Sequence, residues 1–216
     1  GTDVTPPSWR PDVQGGADLV EEIARIASLT ELEGKPMPRL GTGVMRPVLT
    51  QLQRHEAAAR RAMAVLGYNE CVTYSFVDHG AAAMFGGGGD ATMLANPISS
   101  EMSHMRPSLL PGLLQAAARN QARGMSDLAL FEVGPVFHGG EPEDQELMVT
   151  GILVGQSGPR DAHGTRRPVD LYDAKADAEA VLAAIGAPEK LMIIRGMNSW
   201  WHPGRSAKLS LGPKNT

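Results

Sequence analysis

A single cysteine, Cys71, leaves the chain without the means for a disulfide framework or a cysteine-built zinc cage. That scarcity fits a reducing, cytoplasmic setting. No stretch approaches the ~20 consecutive apolar residues needed to cross a bilayer, and residues 1–12 show neither the basic nor the apolar region of an export signal. A soluble chain with no membrane contact is therefore expected. Nor is there an excess of cations: 20 Lys and Arg stand against 24 Asp and Glu, for a formal net charge of −4. This argues against a protein that grips nucleic acid over its whole surface, because phosphate binding relies on clustered Lys and Arg, while local RNA contacts stay open. The run Gly86–Gly89 lacks the Lys-Ser/Thr ending of a phosphate-cradling loop. No internal repeat is found.

What is present is ordinary globular composition, 42% hydrophobic and 20% charged. The length admits one large core, or a small piece plus one domain. Residues 18–29 predict an amphipathic helix, with Leu19, Ile23 and Ile26 on one side and Asp18, Glu21, Glu22 and Arg25 on the other. Its apolar face needs a partner. Residues 32–46 lose periodicity and carry Gly34, Pro36, Pro38, Gly41 and Gly43, so a domain boundary is placed near residue 40. A long helix is predicted over 48–66, with Leu49, Leu52, Ala59, Met63 and Leu66 at three-four spacing and Gly67 ending it. A strand over 70–76 follows, then a mobile excursion over 79–93, since four consecutive glycines are entropically costly in a regular element.

Further along, helices are predicted over 109–123 and 174–185, and strands over 128–133, 148–154, 191–195 and 207–211. Strands joined by long excursions with helices interspersed irregularly favour an α+β layer with an antiparallel sheet. Both ends are abrupt, and the chain is expected to be a piece of a longer protein, truncated at its C-terminus.

Asp18, Glu21 and Glu22 stand at i, i+3 and i+4 and share a helix face, and Asp12 precedes that helix. Two readings stay open. Acids in a first turn complement the helix macrodipole and face solvent; four hard oxygen ligands so placed also suit Mg2+. His55, His79, His104, His138 and His163 are scattered without ligand spacing. His202 and Arg205 flank the Pro203-Gly204 turn and are read as tying it down. Burial is the expected fate of Trp9, Trp200 and Trp201.

Three segments in order resemble the beta subunit of bacterial phenylalanyl-tRNA synthetase. They are Pro7-Ser8-Trp9-Arg10-Pro11-Asp12 with the acidic helix after it; Leu94-Ala95-Asn96-Pro97-Ile98-Ser99-Ser100-Glu101 continuing through Met105-Arg106-Pro107-Ser108-Leu109-Leu110-Pro111-Gly112 to Leu130-Phe131-Glu132-Val133-Gly134; and His202-Pro203-Gly204-Arg205-Ser206-Ala207. With Leu66-Gly67-Tyr68 and Val72-Thr73-Tyr74-Ser75-Phe76 they span most of the chain.

The resemblance implies that residues 1–40 finish a small module and that 41–216 form a catalytic-like domain related to the class II synthetase core, an antiparallel sheet flanked by helices. It implies an Mg2+ site on Asp12, Asp18, Glu21 and Glu22, shared with the alpha subunit. The long helix and the strand after it would form the dimer element of an α2β2 assembly, in a cytoplasmic enzyme that uses ATP to join phenylalanine to its tRNA. No catalytic or nucleotide-binding residue is assigned here. Where many relatives read Gly-Arg-Val-Phe, this chain has Gly134-Pro135-Val136-Phe137, and Arg106 is read as a structural arginine paired with a helix end or an acid. The expected role is a non-catalytic scaffold and interface; the alternative is a self-sufficient adenylate-forming ligase of the same fold, resembling biotin ligase.

Overall fold

The structure, a computed structural model, describes residues 3–38, 48–158, 162, 164, 166–195 and 198–212. The chain divides into two compact units, Gly1–Val48 and Leu49–Thr216. The boundary expected near residue 40 lies outside the described residues.

The first unit is built on helix α1, Gly16–Ala27. Asp18 sets its start, because one carboxylate oxygen accepts the backbone N–H groups of Gln14 (2.9 Å) and Gly15 (2.7 Å), which the helix itself cannot satisfy. The helix stops two residues earlier than periodicity predicts. Ser28 turns extended, and its hydroxyl accepts the N–H of Thr30 to start a 3-10 turn over Leu29–Glu31. No residue of α1 is buried within the unit, and Ile23 and Ile26 are exposed.

In the second unit, helix α2 runs Gln51–Val65, and Thr50 and Gln53 cap its start reciprocally. Strand β1, Asn69–Glu70, pairs parallel with Leu130 and Phe131 of β4, Leu128–Phe137. An antiparallel ladder along its whole length joins β4 to β5, Gln145–Val154. The sheet order is β1-β4-β5. The fold is thus mixed α+β, and its sheet is antiparallel except at β1.

Alternation along β4 divides the core. Leu130 and Val136 pack with Leu109, Leu113, Ala116 and Ala117 around helix α4, Leu110–Gln121; Phe131 packs on the other face with Ala59 and Met63 of α2, Tyr68, and Val181 of helix α5, Leu171–Ala184. The fully buried Leu109, Leu113, Phe131 and Val136 each contribute about 1.5–3 kcal/mol. A hairpin of β6 (Met192–Arg195) and β7 (Ala207–Ser210) completes the described strands with a short pair, β2 (Phe76–Val77) and β3 (His104–Met105). A cavity of about 590 Å³ lies among α5, β5 and this hairpin, walled by Val149, Leu153, Val181, Ile193 and Leu209.

Two expectations need correction. The strand over 70–76 is interrupted: the Cys71 N–H reaches Phe131 O (2.7 Å), but the Thr73 N–H goes to the Glu132 carboxylate (3.3 Å) and Ser75 O accepts the Arg106 N–H (2.9 Å). Side chains and a crossing segment take the bonds a ladder would use. Residues 79–93 are not a free excursion either. They hold helix α3, His79–Met84, capped by Asp78, and a 3-10 turn over Asp90–Thr92. The glycines serve close approach: a Cβ on Gly87 would come within 2.8 Å of Pro107, and Gly86 and Gly88 take positive φ.

Candidate functional site

In the first unit the acidic residues are sorted by arginines. The Arg10 Nη2 donates to Asp12 Oδ2 (2.7 Å) and to Glu22 Oε1 (2.6 Å), and its Nε donates to Asp12 Oδ1 (3.0 Å). The other Glu22 oxygen accepts from Arg25 Nη2 (2.7 Å). Bonding to Arg10 first and Arg25 second holds the Glu22 carboxyl down at about 2, and Arg10 likewise lowers Asp12. The paired carboxylates in turn raise the Arg10 guanidinium.

Of the four acids expected to act together, Asp12 and Glu22 meet on Arg10. Asp18 caps the helix, and Glu21 is exposed. Among the described residues no three His, Cys, Asp or Glu side chains converge as a metal cage. The donor set is chemically right for a hard divalent cation, since all four groups are carboxylates and two already share one cationic nitrogen. Sequence reasoning missed Arg10; the available signal was its place two residues before Asp12.

In the second unit a polar knot lies inside the core. Arg106 and Glu132 are 3% and 4% exposed at their side chains and pair at 2.7 Å. The Arg106 Nη1 also donates to Thr73 Oγ1 (3.0 Å), and its Nε donates to Pro135 O (2.9 Å). The Thr73 hydroxyl donates to Glu132 Oε2 (2.7 Å). This guanidinium is consumed by the protein, as expected for a structural arginine. Gly134 is required beside it: a Cβ there would stand 2.7 Å from Arg106 Nη2. Pro135 is tolerated in β4 because β1 pairs only as far as Phe131, so no strand on that side needs its missing N–H.

The remaining candidates are structural or exposed. His202 ties its turn as expected, with Nδ1 accepting the Gly204 N–H (3.1 Å) and its carbonyl accepting the Ser206 hydroxyl (2.7 Å). His79 and His104 meet, Nδ1 to Nε2, at 3.4 Å, a contact that no sequence spacing announces. His163 lies outside the described residues. Trp9, expected to be buried, is 78% exposed, and Trp200 packs edge-on against Phe85. On α2 and the residue ahead of its cap, Leu49 and Leu52 are exposed while Ala59 and Met63 are buried. Val72 and Tyr74 also face outward.

This architecture is shared with a solved pyrrolysyl-tRNA synthetase from Desulfitobacterium hafniense, at a TM-score of 0.51 and 15% identity over 74% of this chain and 53% of that one. The likeness concerns the fold alone, a mixed α+β arrangement also present in that protein. Residues 38–216 match the family model of the phenylalanyl tRNA synthetase beta chain CLM domain, and residues 1–28 match that of the tRNA synthetase B5 domain. The chain is 70% identical over 208 residues to the phenylalanine–tRNA ligase beta subunit of Ruegeria pomeroyi, covering 96% of this chain and 26% of the relative. To the same subunit of Cereibacter sphaeroides it is 69% identical with the same coverage, and to that of Rhodospirillum rubrum 47% identical over 210 residues. The chain belongs to the phenylalanyl-tRNA synthetase beta chain family. It spans about a quarter of the length of these relatives.

Proposed function

We propose that this chain is a scaffold and interface portion of the beta subunit of phenylalanine–tRNA ligase, in a cytoplasmic α2β2 enzyme that uses ATP to attach phenylalanine to its tRNA. Residues 1–40 are the end of a small module, and residues 41–216 are a catalytic-like domain of the class II kind that performs no aminoacylation itself. The observation that carries this reading is the identity to beta subunits named for that ligase along nearly the whole chain. The polar knot supports the non-catalytic part. Arg106 is committed to Glu132, Thr73 and Pro135, and Pro135 offers no guanidinium to a phosphate.

In this reading Asp12, Asp18, Glu21 and Glu22 would hold Mg2+ together with ligands from the alpha subunit. The ion would supply a rigid electrostatic link between subunits, and this chain supplies the carboxylates and the arginines that orient them. Leu49, Leu52, Val72 and Tyr74 supply exposed apolar surface for assembly.

Co-purification with a candidate alpha subunit tests the assembly, and phenylalanine-dependent ATP–pyrophosphate exchange tests the scaffold role. The expected result is capture of the alpha subunit by the full-length beta chain and no exchange by this chain alone. Clear exchange above a blank would instead mark an autonomous adenylate-forming ligase.

A further inference from the structure

Arg10 sits in the turn ahead of α1, and one of its nitrogens, Nη2, lies 2.7 Å from an Asp12 oxygen and 2.6 Å from a Glu22 oxygen. A carboxylate before the helix and one within it therefore converge on a single positive atom. That is the place a small cation would take between them, because oxygen ligands of Mg2+ approach to about 2.0–2.1 Å and a guanidinium nitrogen in the same gap would stand in contact with the ion. Two like charges cannot share that gap in comfort.

Glu22 and Asp18 each have an anchor that does not depend on Arg10. Glu22 keeps a second bond to Arg25, at 2.7 Å from its own helix. Asp18 is fixed by the backbone N–H groups of Gln14 and Gly15. Withdrawal of Arg10 thus frees both oxygens of Asp12 and one of Glu22, while the bonds of Glu22 to Arg25 and of Asp18 to the backbone stay in place.

We propose that Arg10 is a tethered counter-cation that competes with a divalent metal ion for Asp12 and Glu22, so that metal entry requires the guanidinium to let go of both. The proposal rests on the magnesium reading above. Guanidinium and ion are alternative occupants of one position, and each weakens the other's hold by the same factor.

The test uses Mn2+ as a spectroscopic probe for Mg2+ on this 216-residue chain, with free Mn2+ followed by electron paramagnetic resonance. Arg10→Gln should bind Mn2+ about tenfold or more tightly than the parent, the range of typical coupling between exclusive ligands. In the parent, Mg2+ titration should shift the Arg10 Nε–Hε NMR signal as the guanidinium is released, a readout that survives if the variant folds poorly. Equal or weaker Mn2+ binding by Arg10→Gln, or an Arg10 signal unmoved while the metal binds, overturns the proposal and leaves the magnesium reading standing. Absence of binding by both chains overturns the proposal as well, since removing Arg10 then unmasks no metal site on this chain, while the magnesium reading is decided separately by assembly with the alpha subunit.

Discussion

At the scale of single residues, the chain's charges are arranged in pairs whose worth depends on depth. Arg106 and Glu132 are both nearly fully buried, so removing one leaves a desolvated charge behind. Glu132→Ala is expected to destabilise the chain by about 3–5 kcal/mol, measured by urea unfolding. The double change Arg106→Met with Glu132→Leu should cost clearly less than the sum of the single ones, because neither partner is stranded. Additive losses would show that the pair does not act as a unit.

Asp173 represents the exposed kind. Bonds from Arg167, with a further one from the Asp170 N–H, depress its carboxyl from 3.8 to about 2. Because the folded value is the lower one, its contribution to stability is complete above 3.8 and is lost as pH falls through about 2. Carbon-13 NMR of the Asp173 carboxyl should show that low midpoint, and Arg167→Gln should move it back up.

At the scale of elements, tight packing decides which substitutions matter. Leu113 of α4 has no exposure, and Leu113→Ala should cost about 2–5 kcal/mol in the same unfolding assay. In the glycine run, Gly87→Ala should cost about 1–3 kcal/mol because its new methyl meets Pro107, whereas Gly89→Ala meets open space and should stay within about 0.5 kcal/mol. Equal effects at the two positions would mean that the run is not packed as described.

These elements also show what the sequence makes legible. The long helices follow from three-four spacing, because burial is a local pattern, but their starts do not: Thr50 caps the first inside the range expected from spacing, and Asp170 caps the last ahead of it. The interruption of the strand after Glu70 and the order around Gly86–Gly89 depend on Glu132, Arg106 and Pro107, which are distant in sequence, and no window of a dozen residues contains them. The acidic face of α1 is legible from spacing, but its sorting by Arg10 and Arg25 is a matter of side-chain reach.

At the scale of the whole molecule, the exposed stripe of the second unit belongs to the assembly reading. Leu49→Glu combined with Leu52→Glu should leave the unfolding midpoint of this chain nearly unchanged, since both positions are exposed. It should weaken association in the full-length enzyme, read by analytical ultracentrifugation; unchanged association would remove this stripe from the interface.

The sheet order carries one more consequence. Among the described residues β5 has β4 on one side and no strand on the other, with Met148 and Val149 part-exposed along it. Along the ten residues of β5, the backbone donors and acceptors of alternate residues face that open side, a template on which another chain can crystallise its own hydrogen bonds. In storage, a concentrated solution of this chain should lose monomer by edge-to-edge growth. Met148→Lys, at an exposed position of that strand outside the cavity wall, should lengthen its shelf life in light-scattering time courses, while Val72→Lys, far along the chain from β5, should not.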